Sequence, residues 1–256
     1  MRCLLAAIRC EKGDVAGNLT AQLRILADAA AAGCDLAVFP EMSLTGSVDP
    51  AAHPERLISL DHPAVTRLAA ASAQAGAGAG VGVCFGIAER ATDGTPYLTQ
   101  VFAAAGRVAA VQRKRHLGEG EEAFTPGTEP VACEHAGSTF GIVICAEAGY
   151  DGPFDAAASA GADLILFPAA PGLTGRRTDE ASWRRGLAWW EGCALGDARR
   201  QARRLGLWIA LAGQAGVTAD EDFPGLAALV RPDGSVTARL PDWRPGVLIV
   251  DVPTRH

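Results

Sequence analysis

The chain has 256 residues, 49% of them hydrophobic, enough to build one large core or two small ones. Its 29 acidic side chains outweigh 23 basic ones, and a formal charge of −6 offers no general attraction to nucleic acid or to an anionic membrane surface. The seven cysteines are scattered without a C-x-x-C pair, no apolar stretch approaches the ~20 residues of a membrane span, and the short apolar run between Cys3 and Arg9 lacks a cleavage pattern, so a reducing cytoplasm is the expected setting.

In chain order the first elements are a short apolar strand and an Ala-rich helix, NLTAQLRILADAAAAG at 18–33, with apolar residues three and four apart and a closing glycine. The run LAVFP follows at 36–40, apolar throughout, as expected of a strand buried on both faces. The Gly/Ala-rich stretch 73–86 reads as a loop entering a strand, and AAGRV at 104–108 as the turn of a hairpin. The order then starts again. AGADLILFPA at 160–169 repeats AGCDLAVFPE at 32–41, residue 160 lying 128 positions after residue 32, with six of the first nine residues identical. At the same spacing PDGSV at 232–236 falls on AAGRV, and Gly213 meets Gly86 after a one-residue adjustment. A second helix is expected over 182–206; the arginines between Arg176 and Arg204 read mostly as its solvated face. Two similar halves, about 1–130 and 131–256, each a sheet covered by helices, would bury their other sheet faces together. The expected fold is α/β, a four-layer α-β-β-α sandwich forming a single domain over 1–256.

Differences between the two copies direct attention to function. Glu41 closes the first Phe-Pro strand where Ala169 closes the second, and Lys114 follows the first hairpin where Asp242 follows the second. Folding of these elements therefore requires neither charge. Cys145 ends the apolar strand FGIVIC, a place where sheet strands present reactive side chains, although Cys10 occupies the matching place in the first half.

Together, FPEMSLTG (39–46), RKRHLGEGEEAFTPG (113–127) and GIVICAE (141–147) resemble the glutamate, lysine and cysteine motifs of the nitrilase superfamily of carbon–nitrogen hydrolases, in that family's order. The resemblance covers nearly the whole chain and points to its amidase-like branch. It implies a Glu41–Lys114–Cys145 triad, with Glu122, just before Phe-Thr-Pro-Gly, as a second glutamate. It also implies a dimer or larger homo-oligomer. After the cysteine this chain departs from the family: Ala146 replaces the usual aromatic residue, and about two extra residues precede Pro153. No arginine follows the nucleophile closely; Arg176 and Arg177 are the substitutes available to bind substrate, and a surface role is the simpler reading of both.

The chemistry follows from these residue types. An ammonium at Lys114 would favour the Cys145 thiolate, and Glu41 would move protons between thiol, leaving nitrogen and water. Lys114 and the backbone N–H of Ala146 would hold the oxyanion, with Glu147 and Arg176 as further candidate substrate contacts. The expected reaction is hydrolysis of a small amide or carbamoyl/ureido substrate through a thioester. The alternatives are a nitrilase and a catalytically idle metabolite-binding scaffold. No cofactor or metal is expected, because His53, His62, His116, His135 and His256 are dispersed and no H-E-x-x-H occurs; a G-x-S-x-G serine elbow is also missing.

Overall fold

Arg2–Ala7 and Leu36–Val38 form strands β1 and β2, joined by helix α1 (Val15–Ala31). Helix α2 (Pro63–Gln74) leads to β3 (Gly82–Arg90), β4 (Pro96–Ala104) and β5 (Arg107–Arg113). The second run comprises β6 (Ala132–His135), β7 (Ser138–Ile142), α3 (Asp151–Ser159) and β8 (Leu164–Ala169). Helices α4 (Glu180–Trp190) and α5 (Gly196–Leu205) are joined by a π-helical turn, Glu191–Leu195, and precede β9 (Trp208–Gly213). The small strands β10 (Ala215–Val217) and β11 (Asp222–Pro224) pair with each other, and β12 (Ala227–Val230), β13 (Val236–Arg239) and β14 (Gly246–Asp251) follow. This computed structural model describes residues 1–74, 80–173 and 175–253. The loop expected within 73–86 falls largely on 75–79, outside the described residues.

The first sheet has the order β14-β1-β2-β3-β4-β5 and the second β13-β12-β9-β8-β7-β6. Within each, three neighbouring strands are parallel (β1-β2-β3 and β7-β8-β9) and the next two join antiparallel. Side-chain alternation builds the layers. Leu36 and Val38 of β2, with Leu164 and Leu166 of β8, enter the core between the sheets, while Ala37 and Phe39 turn to the core that includes α1 and α2. Ile165 and Phe167 likewise meet α3, α4 and α5. A strand with both faces covered has no room for polar alternation, which is why LAVFP and LILFP read as unbroken apolar runs.

Helix α1 is capped by Asp14, whose carboxylate accepts the Gly17 N–H at 2.9 Å. The helix expected over 182–206 is interrupted by the π-helical turn, and it ends at Gly206 with φ 67°, the left-handed C-terminal cap expected of glycine. No helix among the described residues is long and apolar enough to cross a membrane.

Candidate active site

Glu41, Lys114 and Cys145 all stand just beyond strand ends, and the sandwich brings them together. Pro40 stops β2 from extending, and the chain turns away through Met42, whose φ of 48° is strained for a residue with a side chain. This turn lies against β3: Leu44 N–H donates to Gly86 O at 2.8 Å, and a Cβ on Gly86 would stand 2.2 Å from the Met42 nitrogen. From the other half, Gln214 Nε2 donates to Glu41 O at 3.0 Å. Lys114 continues the β5 ladder by one bond, its N–H donating to Leu98 O at 2.8 Å. Cys145 opens a 3₁₀ turn (Cys145–Gly149) after β7 and has φ 46°, a second strained position in the site.

The ammonium of Lys114 is fully buried between two carboxylates, with Nζ 2.8 Å from Glu41 Oε1 and 2.6 Å from Glu121 Oε1. The second oxygen of Glu41 accepts the Ala170 N–H at 3.1 Å, and that of Glu121 accepts the Gly118 N–H at 2.6 Å. Burial alone would discharge Lys114, yet Glu41, Cys145 and Glu121 together hold its pKa above the ordinary lysine value. Glu41 is pushed above the usual carboxylate range by burial, with Lys114 opposing and Glu121 reinforcing the shift. The Cys145 thiol is raised as well, by burial first and the Glu41 charge second, against the pull of Lys114.

Lys114 acts in the expected direction on the thiol but does not set the net shift. One ammonium already faces two carboxylates, so its remaining field does not overcome desolvation at sulfur. Burial and the Glu41 charge both favour the protonated sulfur at Cys145.

The glutamate expected at position 122 is also corrected. Glu122 is exposed and accepts the Gly120 N–H at 3.1 Å, whereas its neighbour Glu121 reaches Lys114. Glu147 and Arg176 were expected at the substrate, and neither lines the cavity beside Cys145. Glu147 is fully buried; its two oxygens accept the N–H groups of Ile144 and Arg115, each at 2.8 Å, so one carboxylate ties the residue before Cys145 to the residue after Lys114. Arg176 binds Asp222 at 2.7 Å and the carbonyls of Thr218 and Ala219. Ala146 does line the cavity, next to the nucleophile. Cys10 is buried, its thiol against Ile8 O at 3.7 Å and its pKa raised by burial, with no ammonium beside it among the described residues.

The cavity encloses about 720 Å³. Glu121, Cys145 and Ala146 line it together with Ala170, Leu173 and Arg177, and α4 adds Arg185, Trp189 and Trp190. Sequence reasoning did not find Glu121, Ala170 or the α4 wall. Three acids within 119–122 offered a signal for the first, but in a turn nothing periodic distinguishes one register from the next.

A cysteine set against a Glu–Lys–Glu chain at the wall of a cavity, on an α-β-β-α sandwich, defines the class as a hydrolase of carbon–nitrogen bonds. The family model described as carbon-nitrogen hydrolase matches residues 4–255, and the chain belongs to that family. A glutamine-dependent NAD(+) synthetase of Rhodobacter capsulatus is 27% identical over 263 residues; the match takes in 98% of this chain but spans only 43% of that relative's length. Among solved structures, an amidase from Nesterenkonia sp. superposes with a TM-score of 0.84 at 24% identity, covering 99% of this chain and 90% of that one. The same amidase in complex with butyramide gives 0.83 at 24% identity, covering 99% and 91%. At these identities the structural likeness shows the fold.

Proposed function

We propose that this enzyme hydrolyses a small, non-peptide amide through a thioester on Cys145, with Glu41 as the proton carrier. The observation that carries the reading is the Lys114 ammonium held at 2.8 and 2.6 Å between Glu41 and Glu121, beside a thiol that lines a cavity. As Cys145 Sγ attacks the amide carbon its proton passes to Glu41, and the carbonyl oxygen takes up the charge. Lys114 and the Ala146 N–H stabilise that oxyanion, each such donor contributing about 100–1,000-fold in rate. Glu41 then protonates the leaving nitrogen as the C–N bond breaks, and ammonia or an amine departs. A water attacks the thioester, giving its proton to Glu41; the second intermediate collapses to the acid, and the thiolate recovers the proton. The strained Cys145 backbone supports this role by presenting sulfur at the turn rather than within the sheet.

Amides are favoured over nitriles because Ala146 leaves the position after the nucleophile small. The relative names, glutamine-dependent synthetase and amidase, point to amide nitrogen as well. A cytoplasmic homodimer or larger oligomer belongs to the same proposal. The test is ammonia release from a panel of amides, ureido compounds and nitriles by the parent and by Cys145→Ala. Release from amides that the variant lacks is expected. Turnover confined to nitriles would make it a nitrilase, and none at all a binding scaffold.

A further inference from the structure

We propose that the substrate's acyl group carries an aromatic ring that packs against Trp189 of α4; the inference rests on the amide-hydrolase reading of Cys145. Three rings in succession line the cavity, Phe167 of β8 and then Trp190 and Trp189. Phe167 stands three residues before Ala170, whose N–H binds Glu41. Its ring meets Trp190 edge-on with centroids 6.4 Å apart, and Trp190 meets Trp189 at 6.0 Å with a tilt of 38°. Exposure rises along the row, from 0% at Phe167 through 7% at Trp190 to 50% at Trp189. Elsewhere the indoles are covered: Trp183 stacks on Trp243 at 9°, and the Arg231 guanidinium lies over Trp208. Trp189 has a tilted neighbour but, among the described residues, no ring or guanidinium stacked on it.

The fold brings this aromatic row to the cavity on purpose-built ground. Gly186 lets α4 come close, since a Cβ there would stand 2.7 Å from Leu173 Cδ1, and Trp189 and Trp190 follow three and four positions later, on the same side of the helix. The Cys145 turn contributes small side chains, Ala146 and Ala148. Ala146 holds the position after the nucleophile where the related motif carries an aromatic residue, so the volume of one ring is returned to the cavity. The chemistry fixes which part of the substrate extends there. The leaving nitrogen must reach Glu41, which is buried, so the acyl group extends the other way, into the open space that α4 lines. An aromatic ring gains offset or edge-on contacts with an indole beyond the burial that any apolar group gains. Size agrees: about 720 Å³ falls in the range of pockets for ligands well beyond a four-carbon amide.

The experiment compares kcat/KM for ammonia release from phenylacetamide and 3-phenylpropanamide, from cyclohexylacetamide and 3-cyclohexylpropanamide, which keep the skeleton without the aromatic ring, and from butyramide. The enzymes are the parent, Trp189→Phe and Trp189→Leu, each checked for an unchanged melting temperature. The parent is expected to favour an aryl amide over its alicyclic counterpart by about 2–10-fold, the worth of an aromatic pair beyond area burial, and over butyramide by more. Trp189→Leu should bring the aryl-to-alicyclic ratio close to one, mainly through KM, and Trp189→Phe should keep part of it. Equal rates on aryl and alicyclic amides, turnover of butyramide alone, or a ratio unmoved in Trp189→Leu would overturn the assignment while leaving the hydrolase reading intact; an unmoved ratio with a changed mass in solution would give Trp189 to a subunit contact instead. Absence of ammonia release from every amide would remove the reading on which the assignment rests.

Discussion

Glu41 and Glu121 share one ammonium, and this arithmetic of charge governs the reactivity of Cys145. A carboxyl whose pKa is raised on folding is most favourable when protonated, so Glu41 contributes stability at acid pH that is lost as pH rises from the ordinary carboxylate range through its raised value. Over that same window Glu41 becomes the base that the thiol needs. Activity should therefore rise with pH along a limb displaced above the ordinary glutamate value. Glu41→Gln removes the ionisation altogether, and turnover should fall by at least ~100-fold. Steady-state rates across pH test this, and a variant that keeps the parent's rate and rising limb would place the base elsewhere. The resting thiol also changes what alkylation reports. Brief iodoacetamide treatment should label Cys145, through Glu41, and the exposed Cys193, which lies on the same cavity; buried Cys10 should stay unlabelled. Peptide mapping would show this, with an amide substrate protecting Cys145. Glu41 and Lys114 were legible because each follows a strand or hairpin that the other half repeats without it; Cys145, which Cys10 matches in the first half, was legible only through its place after the apolar strand in the motif GIVICAE. Glu121 was not, because the choice between it and Glu122 depends on how the turn at 118–121 is wound, with Glu121 N–H on Gly118 O at 3.2 Å.

At the scale of elements, the strand ends position the chemistry and small residues let them approach. Gly86 matches Gly213 in the repeat, and in both halves the missing side chain admits another stretch of backbone. A Cβ on Gly213 would lie 2.9 Å from Gly225 O, and one on Gly86 would strike Met42 N and crowd the carbonyl carbon of Glu41. Gly86→Ala should consequently push the Glu41 turn off β3. The expected result is a loss of kcat beyond tenfold and a destabilisation of about 1–3 kcal/mol, as for an overpacked core. Normal turnover in a folded Gly86→Ala protein would show that Glu41 is not set by this contact. The alternation of sheet and helix was legible from apolar runs bounded by Gly and Pro. The π-helical turn at Glu191–Leu195 was not, since a widened turn leaves the three- and four-residue spacing nearly intact, yet it divides α4, with its cavity-lining Trp189 and Trp190, from α5.

Across the whole molecule the candidate site draws on both halves. Glu41, Lys114 and Glu121 come from the first, Cys145 and the Ala170 N–H from the second, and Glu147 and Gln214 are bonds that cross between them. The repeat made the two sheets visible in the sequence; it could not show which strand closes each edge, because β14 and β6 lie outside the repeated pattern. β14 pairs antiparallel with β1, from Arg2 against Asp251 to Ala7 against Gly246. During synthesis this order imposes a wait. The sheet bearing Glu41 and Lys114 is made first but keeps an open edge at β1 until β14, Gly246–Asp251, has left the ribosome. Such distant pairing is slow to form and leaves a strand edge available to other chains meanwhile. A protein stopped before Gly246 should therefore be recovered mainly as aggregate, and supplying the missing strand as a separate peptide during refolding should raise the soluble fraction; soluble, active protein without the strand would show that β1 needs no partner. Nascent chains of this enzyme thus pass through a vulnerable interval whose length is set by translation speed.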